Sequence, residues 1–89
     1  MYYVFKPSGV CSVAIRFKLD GNVVSDVSFT GGCNGNLKAI SKLIDGQTVE
    51  YVEEKLRGNI CGFRSTSCAD QLAIGLRKAL DGELKKVSD

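Results

Sequence analysis

The chain contains no histidine, and that absence removes a large share of protein chemistry. His/Cys zinc sites, Cys–His nucleophile pairs and Ser–His–Asp triads all need an imidazole. Any general acid or base here must be a carboxylate, a lysine, a tyrosine or a cysteine. Proline is nearly absent as well, Pro7 being the only one. No apolar run approaches the roughly 18 residues of a membrane-spanning helix, so a membrane is not an expected partner. Charge of one sign is scarce too: 12 basic against 10 acidic residues leave a formal net charge of +2. A dedicated nucleic-acid binder carries a much stronger basic footprint, and nucleic acid is likewise not an expected partner. The opening M-Y-Y-V-F-K-P-S-G-V has no basic leader followed by a long apolar stretch, so no secretory signal is expected and the cytoplasm is the expected compartment.

With 89 residues the chain is read as one domain, 1–89, with an ordered core over about 3–81. A (β/α)₈ barrel is excluded by length. Surface scaling leaves such a domain burying only about 63% of its unfolded surface. That core is thin, and a cross-link, a metal or a partner subunit would strengthen it. Hydrophobic residues at 44% and charged residues at 25% suit a folded globule rather than a disordered chain.

Local pattern yields an α+β fold, with an N-terminal antiparallel β-hairpin or small sheet packed against two or three C-terminal helices. From Cys11 to Leu19 the odd positions are apolar and the even ones mostly polar, the alternation of a half-buried strand. Asp20-Gly21-Asn22 is a turn cluster. Val23, Val27 and Phe29 then share one face of a second strand, with Asp26, Ser28 and Thr30 on the other. A three-residue loop at 20–22 puts both apolar sets on one side, pairing Leu19 with Val23, Ile15 with Val27, Val13 with Phe29 and Cys11 with Gly31. Cys33 follows one diagonal step beyond, so two cysteines distant in sequence reach the same end of one face.

Helical spacing follows. Leu37, Ile40, Leu43 and Ile44 form one stripe with Lys38 and Lys42 outside it, and Gly46 ends the helix. Thr48 caps a second helix carrying Val49, Val52 and Leu56, which Gly58-Asn59 stops. Ser67 caps a third, running to about Asp81 with Leu72, Leu76 and Leu80 inward and Asp70 completing a capping-box-like pattern. The tail E-L-K-K-V-S-D is expected to fray. Tyr2, Tyr3 and Phe5 read as an edge strand or a subunit contact, so a second copy of the chain is a candidate partner.

Four cysteines, Cys11, Cys33, Cys61 and Cys68, are the only conspicuous chemical groups. In a reducing compartment such thiols are metal ligands or redox groups more often than structural disulfides. Convergence of all four would make a tetrahedral site suited to zinc, iron or an iron–sulfur centre. No two of them have the C-x₂₋₄-C spacing of zinc ribbons, and buried packing is the bland alternative. A third reading makes Cys61 and Cys68 a redox pair. Cys68 at the start of a helix would then be the reactive thiolate, favoured by the helix dipole. The loop Gly31–Asn36 is a candidate phosphate or nucleotide cradle of backbone N–H groups, although it matches neither the Rossmann nor the P-loop pattern. Arg57 and Arg64 flank the Cys61 segment as candidates to bind an acidic group, but their simplest partners are Glu53 and Glu54, in a salt-bridged surface.

The segment C-G-F-R-S-T-S-C-A-D-Q-L resembles the TSCPD motif. The likeness extends to a cysteine at the start of a hairpin strand and to G-G-C-x-G-x-L-x-A-I after the hairpin, together covering roughly Tyr3 to Leu80. Domains of this family stand alone or close the C-terminal end of vitamin B12-dependent (class II) ribonucleotide reductases. The resemblance implies an accessory role in deoxyribonucleotide synthesis and DNA precursor supply, with a larger reductase as partner. It also implies that Cys11, Cys33, Cys61 and Cys68 are the functional residues and bind metal. A ribonucleoside-diphosphate reductase label would mark ancestry, since these 89 residues lack the radical-generating barrel. Ala69 replaces the motif's proline, which in a first helical turn only pre-sets φ. A coarser similarity of layout links the chain to iron–sulfur cluster scaffold proteins, in which three cysteines take comparable positions.

Overall fold

The hairpin turn is tighter than the alternation suggests. In the computed structural model, which describes residues 2–7, 9, 12–31, 34–58, 67–84 and 86–88, Asp20 pairs directly with Val23 and Leu19 with Val24. The loop is therefore two residues, Gly21-Asn22, with Gly21 at φ +61°. Glycine in that first position is what a II′ turn requires, and such turns match the natural twist of the strands.

Strand β1 spans Tyr2–Phe5, β2 Ser12–Asp20 and β3 Val23–Gly31. The turn shifts the expected register by one, and a β-bulge shifts it by one more, which returns the apolar residues beyond it to a shared face. Pairing runs Lys18↔Ser25 and then Arg16↔Ser28, leaving Asp26 and Val27 opposite the single residue Phe17. Asp26 adopts φ +52°, a left-handed conformation that a short polar side chain tolerates better than most. Its N–H donates to Asp45 Oδ1 at 3.1 Å, and Tyr2 Oη donates to its carboxylate at 2.9 Å. Because the two-residue turn pairs Val24 with Leu19, Val24 is fully buried while Val23 is 37% exposed. Val24 thus fills the core position that strict alternation assigns to Val23. Ile15 faces Phe29 rather than Val27. A second irregularity between Ser12 and Ala14 turns Val13, expected inward, out to solvent, and sets Ser12 rather than Cys11 opposite Gly31.

β1 is not an edge strand. The sheet order is β3-β2-β1-β4, all pairs antiparallel, with β4 formed by Lys86–Ser88. The chain end expected to fray is thereby used to cover β1, as unpaired strand edges generally need to be.

Three helices pack on one face of the sheet: α1 Asn34–Ile44, α2 Val49–Leu56 and α3 Cys68–Leu80. Leu37, Ile40 and Ile44 point inward from α1, but Leu43 is 75% exposed. At 100° per residue it lies about a quarter turn off the stripe's centre. Thr48 Oγ1 accepts the N–H of Tyr51 and Ser67 Oγ that of Asp70, both at 3.1 Å, so both expected caps are in place. Phe17, Ile15, Leu72, Leu76 and Val52 centre the core. Gly75 lets α3 approach β1 closely, because a Cβ on it would lie 2.7 Å from Phe5 Cγ.

Candidate functional site

The direction of each helix decides which chain ends meet. Ala79 and Leu80, at the C-terminal end of α3, line a depression with Leu19, Gly21 and Tyr3, beside the hairpin turn. Gly75 lies against Phe5, and Phe5 pairs with Ile15. α3 therefore runs the same way as β2. Seven helical residues back from Gly75 rise about 10 Å, and three strand residues back from Ile15 cover about 10 Å. Cys68 accordingly stands at the level of the Ser12↔Gly31 pair, at the end of the sheet opposite the hairpin turn.

α1 runs the other way. Gly46 N donates to Val24 O at 2.7 Å and Val24 N to Gln47 O at 2.8 Å, which fixes the C-terminal end of α1 beside the turn. Its first residue, Asn34, follows Gly31 by three positions at the far end. The N-termini of α1 and α3 therefore open at one end of the molecule, and each presents the positive pole of a helix dipole there.

Of the four cysteines only Cys68 belongs to the described residues; it is partly buried, in the first turn of α3. Cys11, Cys33 and Cys61 lie outside them, as do Arg64 and, within the loop Gly31–Asn36, Gly32; Gly31 closes β3 and Asn34 to Asn36 form the first turn of α1. Among the described residues no group of three or more Cys, Asp or Glu side chains is arranged to hold a metal. Their described neighbours nevertheless define an end of the fold. Ser12, next to Cys11, pairs with Gly31, two positions before Cys33, while Asn34, next to Cys33, opens α1. Cys61 falls between Gly58 and Ser67, and both of those residues are bonded to Asp70.

That aspartate is the feature local sequence reasoning missed. Asp70 is only 4% exposed. Its Oδ1 accepts from Arg57 Nη1 at 2.7 Å and from the backbone N–H of Gly58 at 2.8 Å. The capping-box pattern predicts only a local role for Asp70, and Glu53 or Glu54 are the partners expected of Arg57. Instead Arg57 crosses to Asp70, and Glu53 takes Arg77, with Nη2–Oε1 at 2.6 Å and Nε–Oε2 at 3.0 Å. The two-pronged hydrogen bond from Arg77 holds the Glu53 carboxyl below its ordinary range and raises the Arg77 guanidinium above its own. Residues 13 and 24 positions apart leave no periodic signal. The only hint was a carboxylate in the first turn of a helix flanked on several sides.

Lys38 and Lys42 are exposed and border a groove floored by Val27, Phe29 and Leu37, in keeping with a solvated helix face. No helix among the described residues is long and apolar enough to cross a membrane. The protein family described as TSCPD domain matches residues 3–80, nearly the whole chain. No curated protein matches it, and no solved structure does.

Proposed function

Because the chain belongs to the TSCPD domain family, we propose that it is an accessory module of deoxyribonucleotide synthesis whose Cys11, Cys33, Cys61 and Cys68 hold one zinc or iron ion. The observation carrying this reading is the level reached by Cys68, which matches that of the Ser12↔Gly31 pair. The described residues adjoining the other three cysteines lie toward the same end. The donor set fits the ion. Four thiolates are soft ligands that select zinc or iron over magnesium or calcium, and without histidine no mixed site competes. Four thiolates around a divalent ion leave two negative charges, and two helix N-termini opening at that end offset them.

When bound, the ion would supply cross-linking of strand, loop and helix, and ligation free energy would become folding free energy. This chain's own residues do the rest. Ser67 starts α3 at Cys68, and the Ser12↔Gly31 pair closes the sheet end that leads to Cys11 and Cys33. The tie to ribonucleotide reductases rests on the family resemblance, and with it a larger reductase or a second copy of the chain as partner.

Elemental analysis of anaerobically purified protein, combined with thiol titration before and after chelation, tests the site. One zinc or iron per chain is expected, with four thiols becoming reactive only after chelation. A metal-free, fully folded chain with four titratable thiols overturns the reading. So does a stable Cys61–Cys68 disulfide in reduced cytosolic buffer, which would favour the redox pair instead.

A further inference from the structure

We infer that Asp70 is the positioning residue of the cysteine site, holding both ends of the segment that carries Cys61 against the first turn of α3. The inference deepens the proposed metal site and rests on it for its significance, though its geometry is independent of any metal. One buried oxygen, Asp70 Oδ1, accepts from both the Arg57 guanidinium and the Gly58 N–H. The N–H of the same residue donates to Ser67 Oγ. Gly58 and Ser67 are the described residues on either side of Cys61, so a single residue fastens both flanks. Cys68 is two positions from Asp70, and Cys61 is three positions from Gly58.

The physical effect is on effective concentration. Two thiols joined by a chain whose ends roam pay a closure entropy on meeting. When the ends are already fastened, that cost has been met by folding, and the thiols encounter each other at a higher effective concentration. Arg57 is mostly exposed, its side chain 53% accessible, so its ion pair with Asp70 is the lesser part. The bond that matters is from Gly58 N–H, because it fixes the backbone leading to Cys61. The Arg77–Glu53 pair joins α2 to α3 as well, but it does so well along α3, seven positions beyond Asp70. It therefore serves as the control for a merely structural tie.

The experiment compares the full chain with Asp70→Ala, Asp70→Asn and Arg77→Ala, by two readouts. In a Cys11→Ser/Cys33→Ser background without metal, the chain is equilibrated with oxidised and reduced glutathione. Two protein thiols and one oxidised glutathione give the Cys61–Cys68 disulfide and two reduced glutathiones, so the equilibrium measures the effective concentration directly. Asp70→Ala is expected to lower it about tenfold or more, and Arg77→Ala to leave it within about twofold. Asp70→Asn keeps a neutral acceptor for Gly58 and should fall between; it also serves if the alanine variant does not fold. With four cysteines intact, Co²⁺ titration should show weaker binding for Asp70→Ala and a loss of thiolate-to-metal charge-transfer intensity at saturation, neither of which Arg77→Ala reproduces. An unchanged glutathione equilibrium in Asp70→Ala overturns the inference, as does an equal fall in Arg77→Ala. Failure of the unmodified chain to bind Co²⁺ overturns the metal reading alone.

Discussion

Replacing Gly75 with alanine would push a methyl group into Phe5, and the structure sets the size of the effect. The new Cβ would lie 2.7 Å from Phe5 Cγ, 2.8 Å from Cδ2 and 3.0 Å from Cβ, against an ordinary carbon–carbon contact of about 3.5–4.0 Å. Rotating the ring does not relieve the clash, because Phe5 Cβ is itself one of the three atoms. The backbone of β1 or of α3 must move by several tenths of an ångström. β1 has little room, being hydrogen-bonded to β2 on one side and β4 on the other. Overpacking of this kind costs about 1–3 kcal/mol, while alanine recovers up to about 1 kcal/mol of helix propensity over glycine. A contact at 2.7 Å puts the clash in the upper half of that cost, so the expected net loss is about 1–2 kcal/mol, or roughly 4–16 °C in Tm for a domain of this size. Urea unfolding at fixed metal content measures it, and the loss should shrink in a Phe5→Ala background, as expected of two residues in contact. A Gly75→Ala variant as stable as the original, or more so, would show that α3 does not press on β1 in this way.

Three further outcomes follow from the register and the ion pairs. Val24→Ala should cost about 2 kcal/mol, since the side chain is wholly buried. Val23→Ala should cost well under 1 kcal/mol, and equal losses in the two variants would contradict the register set by the two-residue turn. Asp26→Val puts a β-branched residue at φ +52° and should destabilise by about 1–3 kcal/mol despite valine's preference for strands; a stabilised variant would mean that the left-handed conformation is absent. The Glu53 carboxyl is held below its usual value, chiefly by the Arg77 hydrogen bond, so its contribution is present above the unfolded carboxyl's value near 4.5 and is lost as pH falls through the lower folded value. Glu53→Gln should therefore lose up to about 1 kcal/mol at neutral pH, the scale of a partly exposed pair. That deficit should close in acid, and a pH-independent difference in urea midpoint would contradict the assignment.

The helices were legible because their signals are local. Thr48 and Ser67 cap where their hydroxyls reach a backbone N–H three residues on, and a glycine at positive φ follows each of the first two helices. Such features depend on neighbours in the chain and are readable without knowing what lies across the core. The hairpin was legible in outline for the same reason, with Gly21 marking its turn. Its register was not. Alternation counts residues, but the bulge at Asp26 depends on Asp45 and Tyr2, which arrive from α1's end and from β1. The pairing of β4 with β1 was equally hidden, since a three-residue strand has too little pattern to stand out from a polar tail.

The cysteine constellation divides along the same line. Composition alone determined that sulfur is the soft-ligand chemistry open to this chain and that imidazole chemistry is closed to it. The sequence also determined that Cys68 begins a helix. Only the tertiary structure decided that α3 runs parallel to β2 while α1 runs back along β3, so that two helix N-termini and the Ser12↔Gly31 pair share one end of the sheet. It alone brought Asp70 to Arg57 and Gly58 across the Cys61 segment. Spacing along a chain fixes which groups are near neighbours within one element. The relative direction of two elements is set by how their apolar faces bury each other, and that is a property of the whole core.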